Sequence, residues 1–189
     1  MRYLKADLKR YFRKKKGIWI KLKIILLTQG IWAIIIYRTG SWCHNRIDKP
    51  IYFWVKLILP FLTILQKIVE ITTGIVLPFT AKIGKGLYIG HFGGIILGPK
   101  TVIGENCNIS QGVTIGQAGR GGKQYTPVIG DRVYIGPGAK IFGGIKIGNN
   151  VAIGANAVVT TDLPDNAVAV GIPAKIVNYD SSRDFVIIS

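Results

Sequence analysis

With 49% hydrophobic and 18% charged residues over 189 positions, the chain is apolar enough to bury a core, which excludes the low-complexity and disordered classes. Its net charge of +16 is unevenly placed: residues 1–76 carry 15 Lys/Arg against Asp7, Asp48 and Glu70, whereas residues 77–189 carry 10 against six acids. Only Cys43 and Cys107 occur, with neither metal-ligand spacing nor a disulfide framework, so a reduced compartment is expected and a metal site is not.

Residues 1–76 read as helices. "MRYLKADLKRYFRKKKG" predicts a basic helix with Tyr3, Leu4, Leu8, Tyr11 and Phe12 on one side. "IWIKLKIILLTQGIWAIIIYRTGSW" and "IYFWVKLILPFLTILQKIVEITTG" follow, with Pro60 expected to kink the second. The longest uncharged run, Ile24 to Tyr37, falls short of the roughly 20 residues a spanning helix needs. Lys21, Lys23, Arg38 and Lys56 flank or interrupt the apolar stretches, and Trp19, Trp32, Trp42 and Trp54 suit an interface. The pattern predicts a helical module on an anionic membrane surface, peripheral or monotopic. A soluble bundle or oligomer interface is the alternative. Ile, Leu and Trp packed beside the charges favour lipid over a phosphate backbone, so no nucleic-acid partner is expected. No cleavage-like stretch interrupts the apolar segments, so a cleaved signal peptide is not expected.

Residues 77–163 repeat with a period of six. Aliphatic residues stand at Leu77, Ile83, Ile89, Leu97, Ile103, Ile109, Ile115, Ile129, Ile135, Ile141, Ile147, Ile153 and Val159. Glycine follows in nine of these thirteen units, at 84, 90, 98, 104, 116, 130, 136, 148 and 154. Period six is neither a helix nor a hairpin pattern; it is that of a β-helix in which short strands stack coil on coil. The aliphatic residue fills the interior, and the glycine is expected to permit the turn that follows. A mostly β chain therefore results: a helical segment 1–76, a β-helix 77–178 and a tail 179–189 that carries no signal of its own.

The repeat breaks twice. Two extra residues enter between Ile89 and Leu97, beside His91, and a longer excursion, "GQAGRGGKQYTP", separates Ile115 from Ile129. Insertions in a solenoid project from its surface, where function concentrates. His91 sits in "IGHFGG". An imidazole titrates near neutrality, so it can take a proton from an attacking hydroxyl and return it to a departing thiolate. Gly90, Gly93 and Gly94 allow close approach, and backbone N–H groups there are candidates for an oxyanion site. His44, in "SWCHNR", reads as solvated or at headgroup level.

The stretches "AKIGKGLYIGHFGGIILGPKTVIGENCNISQGVTIG", "VIGDRVYIGPGAKIFGGIKIGNNVAIGANAVV" and "AVGIPAKIV" resemble the hexapeptide-repeat acyltransferases over roughly residues 70–178. The nearest branches are the serine acetyltransferases and the O-acetyltransferases of bacterial polysaccharide synthesis; "DLKRYF" and "GIWAIIIYRTGSW" look like the front end of the latter. The resemblance implies a left-handed parallel β-helix assembled as a homotrimer, with active sites between subunits and acetyl-CoA along the groove. It matches His91 to the catalytic histidine. It also places CoA against Gly116, Gly136, Pro137, Gly154 and Ala155, with Lys175 of "GIPAK" at the nucleotide end. Arg120 and Lys123 are further candidates for phosphate contact, although Gln117 and Gln124 occupy the first and last places of what would be a Walker motif.

The acceptor is where the chain departs from the serine enzymes. Their Asp before the catalytic His is Gly90 here, another acceptor-binding Asp aligns with Val76, and the usual Arg-His-Pro is Tyr125, Thr126 and Pro127. Losing charged contacts to a zwitterion should weaken its binding. The expectation is therefore acetyl transfer to a sugar hydroxyl of a lipid-linked or polymeric saccharide, at the cytoplasmic face of the bacterial inner membrane. Serine is the alternative acceptor; another acyl chain and a non-catalytic scaffold are the remaining readings. Glu70 and Tyr125 are candidate acceptor-binding residues, and Glu70 is also a candidate to orient His91. Neither cysteine neighbours His91 in sequence, so direct transfer without a covalent intermediate is expected.

Overall fold

The computed structural model describes residues 2–13, 15–119 and 125–187. Four helices lead: α1 (Arg2–Phe12), α2 (Ile18–Leu27), α3 (Gln29–His44) and α4 (Val55–Thr73), with a 3-10 turn at Pro50–Tyr52. Parallel coils follow. The first comprises β1 (Ile75–Val76), β2 (Lys82–Ile83) and β3 (Tyr88–Ile89); the second β4 (Ile95–Leu97), β5 (Val102–Ile103) and β6 (Asn108–Ile109). The third holds β7 (Thr114–Gly116), β8 (Val128–Ile129) and β9 (Tyr134–Ile135); the fourth β10 (Lys140–Phe142), β11 (Lys146–Ile147) and β12 (Ala152–Ile153). A fifth contains β13 (Val158–Val159), a bridge from Leu163 to Ile147, and β14 (Val168–Val170). β15 (Lys175–Asn178) then turns back antiparallel on β14.

Every third strand pairs in parallel, giving three sheets. One face stacks β1-β4-β7-β10-β13, the second β2-β5-β8-β11, and the third β3-β6-β9-β12-β14. All thirteen repeat aliphatics point inward and are buried, each stacked on its counterpart in the next coil, as in Ile83↔Ile103↔Ile129↔Ile147. The excursion from Ile115 to Ile129 leaves that stacking intact, because it departs from a corner and not from a strand. The repeat glycines act differently from expectation. None of the nine has positive φ; the left-handed positions fall elsewhere in each turn, at Gly86, Asn106, Arg132 and Asn150. The repeat glycine is needed for contact: a Cβ on Gly104 would lie 2.5 Å from the carbonyl oxygen of Gly130 in the coil beyond. Coils spaced as neighbouring strands, roughly 4.8 Å apart, leave no room for a side chain there.

A coil has two open rims, and the helices close the first. The Tyr37 hydroxyl of α3 donates to Ala81 O (2.7 Å) and accepts from Ile83 N–H (3.2 Å), on either side of β2. Arg38 donates to Ile83 O and Gly84 O, each at 2.6 Å. From α1, Asp7 accepts from Leu87 N–H (2.8 Å) and pairs with Arg38 Nε (2.7 Å), while Arg10 donates to Gly86 O (2.7 Å) and Asn108 Oδ1 (2.7 Å). These side chains take the place of a coil before the first, satisfying edge groups that would otherwise be buried without partners.

This corrects the reading of the basic N-terminal helix as a lipid-facing element. Asp7 is fully buried and Arg10 nearly so, and the side of α1 that carries Leu4 and Tyr11 packs on the β-helix core. In α3, Ile31, Ile34 and Tyr37 are buried and a Cβ on Gly40 would lie 2.1 Å from the Phe79 ring. α4 continues as one helix past Pro60 and packs on α3 through Val55 and Leu62, which cluster with Cys43 and Phe79. No described helix is long and apolar enough to cross a membrane; α2 and α3 pass jointly by length and composition but meet at 87°.

The tail, silent in sequence, is docked. Phe185 stacks on Tyr134 at 4.6 Å, Ser182 N–H donates to Asn150 O (2.8 Å), and its hydroxyl bonds Arg132 O.

Candidate active site

β3 delivers Ile89 to the interior, and the chain then turns at Gly90 into the corner that leads to β4. The two extra residues widen this corner, leaving His91 and Phe92 exposed. Gly93 adopts φ +100°, and nothing lies within 4 Å of where its Cβ would stand, so glycine is required there by backbone conformation and not by space. Gly93 O accepts from Gly112 N–H (2.8 Å). From the other side comes the C-cap of α4: Gly74, left-handed at φ +65°, has its carbonyl bonded by Ile95 N–H (2.9 Å), and a Cβ on it would lie 3.0 Å from Gly94 N. The His91 corner is thus clamped between the second coil and the end of α4. The imidazole itself has no hydrogen-bond partner among the described residues.

The corners after the strands of the third sheet form one column along the prism. Gly90-His91 heads it, and Gly136-Pro137 and Gly154-Ala155 occupy the same corner two and three coils further on. The column is tied through backbone bonds: Gly138 N–H to Gln111 O (2.8 Å), Gly136 N–H to Ile153 O (2.8 Å) and Asn156 N–H to Pro137 O (2.8 Å). Four of the six predicted CoA-binding residues therefore share an edge with His91, roughly 10 to 15 Å along it at strand spacing. Lys175 opens β15, exposed, at the far end of the same sheet.

Gly116 lies elsewhere. It ends β7 on the next corner, where the excursion departs and where a Cβ would meet the Phe142 ring at 2.9 Å. Tyr125 closes that excursion through paired backbone bonds with Ala118 (3.2 Å each), is 56% exposed, and sets its Cβ against Gly144. Arg120 and Lys123 lie outside the described residues. Between the two corners runs the outer surface of the first sheet, with Ile96 half exposed. There Lys140 donates to Gly112 O (2.6 Å) and Thr114 Oγ1 (3.0 Å), bracing the turn on which Gly93 rests; as one outward position among many in the repeat, it carried no signal in the sequence.

Glu70 sits in the last turn of α4, its side chain largely covered. Its carboxylate oxygens are taken by Gln66 Nε2 (3.0 Å) and Lys67 Nζ (2.6 Å), so in this structure it is not bonded to His91. His44 is half-buried and lines a separate cleft of about 660 Å³ with Arg38, Trp42 and Lys82. Cys107 is buried in the β-helix; burial pushes its thiol up to about 12, and it lies 3.2 Å from Gly130 O, so it is held as a neutral thiol. Among the described residues no three or more His, Cys, Asp or Glu converge as a metal cradle.

The family described as Bacterial transferase hexapeptide (six repeats) matches residues 126–161. Over 177 residues the chain is 37% identical to the serine acetyltransferase of Helicobacter pylori, covering 94% of this chain and 98% of that one. It is 36% identical over 183 residues to the serine acetyltransferase of Staphylococcus aureus, covering 97% and 81% respectively. The crystal structure of Neisseria gonorrhoeae serine acetyltransferase in complex with serine is similar at a TM-score of 0.72 and 32% identity, over 94% of this chain and 68% of that one. A serine acetyltransferase in complex with CoA gives 0.74 and 30%, over 93% and 68%.

These likenesses overturn the expected acceptor and location. A lipid-linked sugar acceptor at the inner membrane was inferred from three substituted acceptor positions and a basic, apolar front end. The relatives named serine acetyltransferase align through that front end as well as the repeat, and Arg10, Tyr11, Tyr37 and Arg38 within it close the rim of the first coil. A similar front end thus belongs to proteins named for serine, and the polysaccharide branch loses its support. The chain belongs to the serine acetyltransferase family of hexapeptide-repeat transferases and is an acyltransferase.

Proposed function

We propose that this chain transfers the acetyl group of acetyl-CoA to the hydroxyl of serine, with His91 as general base. The observation that carries the reading is the shared corner column: an exposed imidazole with no intramolecular partner among the described residues heads the edge along which Gly136, Pro137, Gly154 and Ala155 lie. Acetyl-CoA lies along that edge with its thioester toward His91 and its nucleotide toward Lys175. His91 accepts the serine hydroxyl proton as the oxygen attacks the thioester carbonyl. The C–S bond then breaks, and the proton passes to the CoA thiolate, giving O-acetylserine and CoA without a covalent enzyme intermediate. Backbone N–H groups of the Gly93–Gly94 turn are the candidates for the developing oxyanion.

The coils wind left-handed and three copies assemble, as the resemblance implies. Tyr125, exposed at the foot of the excursion on the neighbouring corner, then reaches the acceptor across a subunit boundary. Glu70, in the α4 turn that packs on the His91 corner, meets the serine ammonium once Lys67 yields. Release of CoA from acetyl-CoA with L-serine, measured for the native chain and for His91→Ala, tests the reading. Expected is turnover with serine and a loss of about 10²- to 10⁴-fold in the variant with its assembly unchanged. No turnover with serine would remove the acceptor; full activity in His91→Ala would remove the base.

A further inference from the structure

We infer that Tyr11 is a positioning residue for His91, an inference that rests on the reading of His91 as general base. The Tyr11 hydroxyl donates to Ile89 O (2.9 Å) and accepts from Ile89 N–H (2.8 Å). Ile89 is two residues before His91, on β3, the outermost strand of its sheet at the helical end. In the coils beyond, strands are bonded on both sides by neighbouring strands: Tyr134 N–H reaches Val151 O (2.9 Å), and Asn108 N–H reaches Val133 O (2.9 Å). β3 has such a neighbour on one side, through Tyr88 N–H to Cys107 O (3.0 Å). On the other, one phenol hydroxyl replaces a strand.

The surroundings hold that hydroxyl to its task. The Tyr11 ring lies 4.7 Å from Tyr88, and the Tyr88 ring in turn lies 3.1 Å from where a Cβ on Gly90 would be, so the aromatic pair fills the space beneath the turn into His91. α3 approaches Ile89 from the same quarter: a Cβ on Gly30 would lie 2.4 Å from Ile89 O. Burial pushes the Tyr11 phenol well above its ordinary range, which keeps it protonated and able to donate as well as accept. A general base must stand within hydrogen-bond reach of the proton it takes, and displacement by about 1 Å costs about 100-fold in rate. Removing the hydroxyl frees both Ile89 backbone groups and lets the end of β3, with His91, leave that register.

The fold supplies its own control. Tyr37 makes the same pair of bonds to the first coil, at Ala81 O and Ile83 N–H, on the sheet that does not lead into His91. Tyr11→Phe and Tyr37→Phe therefore each remove one hydroxyl that bonds an N–H and a carbonyl on the rim of the first coil, one before the histidine and one remote from it. The experiment is steady-state kinetics of both variants with acetyl-CoA and L-serine, beside the native enzyme and His91→Ala, with a urea midpoint for each. Tyr11→Phe is expected to lower kcat by about 10- to 100-fold while leaving KM for acetyl-CoA unchanged, because the Gly136 and Gly154 corners are not touched. Tyr37→Phe is expected to lose comparable stability and keep native kcat. Native kcat in Tyr11→Phe, or equal losses of kcat in both variants, overturns the inference. An active His91→Ala would instead overturn the general-base reading on which it rests, so the two failures are distinguishable.

Discussion

The β-helix and the helical front end use apolar residues in opposite ways. Along the repeat every interior aliphatic is buried, from Leu77 to Val159, whereas α2 has no buried residue and exposes Trp19 at 81% and Leu26 at 67%. On α4, Leu57 and Ile71 face outward at 78% and 77% while Val55 and Leu62 are buried. The difference is one of where specificity resides. In the coils, side-chain direction follows from position in a six-residue unit, so hydrophobicity and burial coincide. In the helices, apolar packing at Ile31, Ile34, Val55 and Leu62 is joined by polar contacts that set their place on the coil: Asp7, Arg10, Tyr11, Tyr37 and Arg38 bond the rim of the first coil. Basic charge in this segment is thus partly structural, and its apolar surplus marks faces the isolated chain leaves uncovered.

That contrast can be tested by substitution. Asp7→Ala should be the most damaging change in the front end. It removes the carboxylate that neutralises Arg38, leaving that guanidinium only its bonds to Ile83 O and Gly84 O, and leaves the buried Leu87 N–H without an acceptor, at an expected cost of about 3–5 kcal/mol, measurable as a fall in the urea midpoint. A loss within about 0.5 kcal/mol, as at an ordinary surface site, would mean that the helices merely lean on the coil. Ile135→Ala, in the middle of the interior stack, should cost about 2–5 kcal/mol, whereas Leu57→Ala should stay within about 0.5 kcal/mol. A larger loss at Leu57 in the assembled enzyme would show that another copy covers the outer face of α4.

A smaller effect concerns pH. Burial holds the Tyr37 phenol above its ordinary value of 10.0. A raised folded-state value contributes stability that is fully present below pH 10 and is lost as pH climbs from there through the folded value. Tyr37→Phe should cost about 1–3 kcal/mol at neutral pH, by leaving Ala81 O and Ile83 N–H without their partner. The gap between native and variant should narrow above pH 10. A gap that stays constant to strongly alkaline pH would deny that the buried phenol titrates with unfolding.

Taken alone, the sequence determined the β-helix, its interior and its two irregular corners, because a six-residue period leaves one arrangement in which every aliphatic is buried. It also singled out His91, since a titratable ring beside an insertion in a glycine turn has few purely structural uses. It misjudged the repeat glycines: spacing shows where a small residue is needed, but whether φ or a neighbouring coil demands it depends on atoms far away in the chain, as between Gly104 and Gly130. The front end misled for the same reason. Nothing local to "ADLKRYF" says that Asp7, Arg10 and Tyr11 will meet backbone groups some 80 residues later, and a basic amphipathic helix at a membrane is written with similar residues. The tertiary structure alone decided that these side chains stand in for a missing coil, because edge hydrogen bonds are satisfied by whatever lies opposite in space and not by what lies near in sequence.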